Sequence, residues 1–85
     1  MIIRERDKVV FGALHALADA GTPGWVENVC GYLRESGYRT ERDGSIVNQV
    51  TFVLRHFVNN PDRGWQGYRI VEVQPDLYAL VEVSS

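Results

Sequence analysis

A single cysteine, a single lysine and the lack of any long apolar run shape the reading of this 85-residue chain as much as what it contains. Cys30 has no intramolecular disulfide partner, and with only two histidines beside it the chain offers no structural zinc set. The fold must therefore stand on side-chain packing, in a chain so short that only about 60–65% of its unfolded surface is buried on folding. No apolar stretch approaches the ~18–20 residues that span a bilayer, and Arg4-Glu5-Arg6-Asp7 brings charge too early for a signal peptide. A cytoplasmic domain with no membrane partner is expected. There is no low-complexity tract, no internal repeat and no linker, so residues 1–85 are read as one domain. Strong charge of either sign is missing too: nine basic and eleven acidic residues leave −2 and a pI near 5.6. That excludes a polycationic arm or a histone-like wrapper.

Catalytic chemistry is equally sparse. The sequence contains no carboxylate pair, no phosphate-binding glycine motif and no metal-ligand cluster. His15 and His56 fall on outer helix faces with no nucleophile fixed beside them. Cys30 sits in an apolar stripe, where a buried inert thiol is the expectation. The chain reads as a non-enzyme without a cofactor.

What is present is periodicity. Val10, Phe11, Leu14, Leu17 and Ala18 mark one face of a helix over residues 7–20, with Lys8, His15 and Asp19 outward and Gly21 as its C-cap. A second helix is predicted over 23–36, opened by Thr22 as N-cap and Pro23 at the first position, with Val26, Val29, Cys30 and Leu33 inward. After Gly37-Tyr38 and the polar stretch Arg39-Thr40-Glu41-Arg42-Asp43-Gly44, a third helix spans 45–59. Its stripe is Ile46, Val47, Val50, Val53, Leu54, Phe57 and Val58, and Asn60-Pro61 stops it. Residues 68–73 and 77–83 read as strands joined by Gln74-Pro75-Asp76, an antiparallel hairpin. The expected class is α+β: a three-helix winged helix-turn-helix domain closed by a C-terminal antiparallel β-hairpin, because a hairpin alone must lay one face on something.

Within that class, Gly37-Tyr38, the long polar connection, the aliphatic third helix and the closing Asp76-Leu77-Tyr78-Ala79-Leu80 resemble HARE-type helix-turn-helix modules and the N-terminal winged helices of some restriction endonucleases. The likeness spans about Asp7 to Val83 and is one of layout and spacing. It implies a third helix that enters the DNA major groove and a hairpin that flanks the duplex.

The third helix supports that expectation by itself. No aspartate or glutamate occurs between Ser45 and Asn60, and Asn48, Phe52, Arg55 and Asn59 follow i, i+4, i+7 and i+11 along one ridge. Asn and Gln bond adenine, Arg bonds guanine, and Ser or Thr serves either base. The base-reading candidates are Ser45, Asn48, Gln49, Thr51 and Arg55. Arg39, Arg42, Arg63 and Arg69 are phosphate candidates, and Trp65, set between glycines in 61–68, would flank the duplex. Charge concentrates here: residues 37–70 carry +2, residues 1–36 carry −1 and residues 71–85 carry −3. Eight of the nine bases are arginine, which suits bidentate phosphate or guanine contacts. The expected function is a small DNA-binding transcriptional regulator or accessory factor, its partner double-stranded DNA and its affinity raised by a homodimer or a protein partner. The alternative is a protein-interaction module on the same fold, an adaptor or inhibitor, to which Glu41, Asp43 and an exposed Phe52 are better suited.

Overall fold

The stripe that predicts the first helix also shows where it must pack. The computed structural model describes residues 6–39, 45–64 and 67–83. Helix α1 (Arg6–Asp19) buries Val10, Phe11, Ala13, Leu14 and Leu17. Ala13 replaces the expected Ala18, which lies in the last turn beside Gly21 and is exposed. His15 is half-buried rather than outward, its ring edge-on to Tyr68 at 4.7 Å. Gly21, at φ 73°, lets the chain reverse: its N–H donates to the Ala18 carbonyl while the Thr22 N–H donates to that of Leu17. The same pair of bonds recurs at Gly37, where the Tyr38 N–H reaches the Leu33 carbonyl and the Tyr38 ring packs on the core.

Helix α2 (Val26–Glu35) starts three residues later than its sequence suggests. Thr22-Pro23 has the composition of a helix start, but a tertiary contact claims the residues that follow. Gly24 and Trp25 are drawn out against the hairpin: the Tyr78 N–H donates to the Gly24 carbonyl, the Val26 N–H donates to that of Asp76, and Trp25 bridges Leu77. A carbonyl of the hairpin turn thus satisfies the first N–H of α2, a role for which no side chain is recruited. Only glycine fits at position 24, because a Cβ there would collide with the Tyr78 carbonyl oxygen.

Helix α3 (Ile46–Asn59) buries Ile46, Val50, Val53, Leu54 and Phe57; Val47 lies off this stripe and is 38% exposed, contrary to its expected place. Strands β1 (Tyr68–Gln74) and β2 (Leu77–Glu82) pair antiparallel, with a register shift between Glu72 and Gln74. In the turn, Pro75 presets its own φ, while Asp76 takes φ 67°, the left-handed conformation of a tight reversal. Ile70 and Tyr78 point inward between the helices, and Phe11 meets Phe57 edge-on at 5.0 Å in the centre. The result is the expected α+β layout, three helices closed by an antiparallel hairpin as in a winged helix. No described helix is long and apolar enough to cross a membrane.

Candidate functional site

The buried stripe of α3 determines what its other side can present. With Ile46, Val50, Val53, Leu54 and Phe57 turned inward, Asn48, Phe52, Arg55 and Asn59 are all exposed on the opposite side. They border an open depression of about 550 Å³ together with Thr51 and His56. Among the predicted base-reading residues, Asn48, Thr51 and Arg55 are therefore brought together. Gln49 is half-buried beside this ridge. Ser45 is the N-cap of α3, its hydroxyl oxygen accepting from the Asn48 N–H at 3.4 Å.

Three interactions organise this surface. Phe52 stacks on His56, with ring centroids 6.3 Å apart and planes 11° from parallel. His56 in turn stands edge-on to the buried Phe57, which ties the exposed ring to the core. Arg63, beyond the end of α3, folds back so that its Nη1 lies 3.3 Å from the Nε2 of His56. As a hydrogen bond this contact has the guanidinium donating and Nε2 accepting. The helix end is secured by Asn60, whose side-chain amide donates to the His56 carbonyl at 2.7 Å. Asn60-Pro61 accordingly works by capping as well as by breaking the helix.

A further group of side chains joins the helix to the hairpin. Tyr78 is 1% exposed and its hydroxyl has no hydrogen-bond partner, yet Glu72 across the strand pair and Arg55 from α3 both lie close enough to influence it. Burial raises the phenol above its usual range; the Glu72 carboxylate adds to that and the Arg55 guanidinium opposes it. Arg55 from α3 and Glu72 from β1 thus both act on Tyr78. Only the paired register of Glu72 and Tyr78 could have hinted at this from the sequence.

The phosphate candidates are dispersed. Arg63 reaches α3, Arg69 is exposed on the face of β1 turned away from Ile70, and Arg39 is exposed beyond the end of α2. Arg42 and Trp65 lie outside the described residues. A second, smaller groove of about 420 Å³ runs between the start of α2 and α3, lined by Trp25, Val47 and Thr51 and edged by Glu27 and Asp76. Cys30 is fully buried, and that burial pushes its thiol pKa up, with Arg34 opposing, so its thiolate is disfavoured. Among the described residues no three His, Cys, Asp or Glu side chains converge as a metal site. No family model, no curated protein and no solved structure matches the chain.

Proposed function

We propose that this domain binds double-stranded DNA through α3, acting in the cytoplasm as a small transcriptional regulator or accessory factor without catalytic activity. The observation that carries the reading is the outer ridge of α3: amide, aromatic and guanidinium side chains exposed in one line, on a helix without a carboxylate. Asn48 and Arg55 supply the groups that pair with adenine and guanine edges in the major groove, with Ser45, Gln49 and Thr51 beside them. Arg39, Arg42, Arg63 and Arg69 contact phosphates, and Trp65 flanks the duplex. The resemblance to HARE-type and restriction-endonuclease winged helices leads to the same proposal. A single module of this kind buries only about 600–1,000 Å² on DNA, so a homodimer or a protein partner completes the affinity.

The test is binding to a random duplex at two salt concentrations. Phosphate-driven association weakens with a log–log slope of about −0.9 per neutralised phosphate. Arg55→Ala and Asn48→Ala are expected to flatten sequence preference by about 1–3 kcal/mol at single positions, whereas Arg69→Ala weakens all sequences alike. Glu72→Gln, which removes an acid that acts on Tyr78 together with Arg55, is expected to tighten binding. Absence of binding at low salt overturns the proposal.

One observation favours a second reading, a protein-interaction module. The acidic hairpin brings Glu72 up to the ridge, and exposed Val73 and Val83 extend the apolar surface of the strands. Recovery of one stoichiometric protein partner from nuclease-treated lysate, without salt-dependent DNA binding, would establish it.

A further inference from the structure

Phe52 is the most conspicuous member of the ridge, because an amide or guanidinium belongs in water and a phenyl ring does not. It is 58% exposed, yet its orientation is set by the stack on His56, itself held by Phe57 and Arg63. A ring so placed costs little further side-chain freedom when something packs on it. The α-helical rise puts Phe52 about 6 Å along the axis from Asn48 and about 4.5 Å before Arg55. With base pairs about 3.4 Å apart, the three side chains face roughly four consecutive pairs.

In the major groove the base edges present hydrogen-bonding groups, and thymine alone of the four bases adds an exposed apolar group, its C5 methyl. We propose that Phe52 packs on a thymine methyl in the major groove, between the contacts made by Asn48 and Arg55. This rests on the DNA-binding reading and sharpens it: the preferred site contains a thymine read by shape and apolar contact rather than by hydrogen bonds.

The experiment starts from the duplex that the intact chain selects from a random pool. Each thymine of that duplex is then replaced in turn by uracil, which pairs identically but lacks the methyl. Wild type is expected to bind about fourfold more weakly at one or two of these positions, the value of one buried methyl group. Phe52→Ala is expected to bind the thymine and uracil duplexes equally, and Phe52→Leu to keep part of the difference, with circular dichroism verifying that each variant remains folded. Sequence-selective binding that is indifferent to every uracil replacement overturns the thymine contact while leaving DNA binding intact. A thymine preference that survives in Phe52→Ala overturns the assignment to Phe52. Failure to bind any duplex at low salt overturns both proposals together.

Discussion

Helix α3 and the C-terminal hairpin are neighbours in space and opposites in construction. The helix is fastened by five buried side chains spread along its length, whereas the hairpin is fastened by Ile70 and Tyr78. The helix is free of carboxylates, but the hairpin carries Glu72, Asp76 and Glu82. A surface built to approach a polyanion needs both properties of the helix, fixed geometry and an absence of repelling charge. The hairpin is held in place by its backbone bonds to Gly24 and Val26 but lacks the second property, and what it contributes is closure of the core. The contrast distinguishes the face proposed for DNA more sharply than net charge does, since −2 is a sum over regions of opposite sign.

The comparison can be broken at its strongest point. Phe57→Ala removes the ring that meets Phe11, and is expected to cost about 3–5 kcal/mol in chemical denaturation, much of what a domain this size possesses. Gly24→Ala attacks the hairpin instead. The added Cβ meets the Tyr78 carbonyl oxygen and must push the hairpin from the start of α2, for about 1–3 kcal/mol. A larger loss for Gly24→Ala than for Phe57→Ala would reverse the ranking of the two regions.

The smallest effect concerns the unpartnered phenol. Tyr78→Phe keeps the packing and removes a hydroxyl without a partner, so stability at pH 7 is expected to change by less than about 1 kcal/mol. The difference should emerge in alkali. Because burial raises the Tyr78 pKa in the folded state, its contribution is complete below the unfolded phenol value near 10 and is lost as pH rises through the folded value. Wild type therefore loses stability faster than Tyr78→Phe above about pH 10. Denaturation of both proteins across that range measures it, and parallel curves would show that the hydroxyl is solvated.

Most of the architecture is legible in the sequence because it is local. A 3.6-residue period identifies all three helices, and Gly21 and Gly37 mark two of their ends through a backbone conformation that glycine adopts readily. The ridge of Asn48, Phe52, Arg55 and Asn59 follows from the same arithmetic. What escaped depends on residues far apart in the chain. Thr22-Pro23 carries a helix-start pattern, but the hairpin some fifty residues later draws Gly24 and Trp25 into pairing. Ala18 and Val47 read as inward in the sequence because apolar identity does not distinguish the edge of a stripe from its centre. The Arg63–His56 contact and the pairing of Glu72 with Tyr78 arise from loop return and strand register, which no helical period encodes.

The pairing of Gly24 and Val26 with residues 76–78 also imposes an order on biosynthesis. As the chain leaves the ribosome, α2 acquires its stripe early, but its first N–H waits for a carbonyl made about fifty residues later. Until Tyr78 arrives, the side of the core it covers stays open to water and to other chains. Translation arrest or truncation ahead of residue 76 would therefore release a helical intermediate with an uncovered apolar face, a substrate for chaperones and proteases.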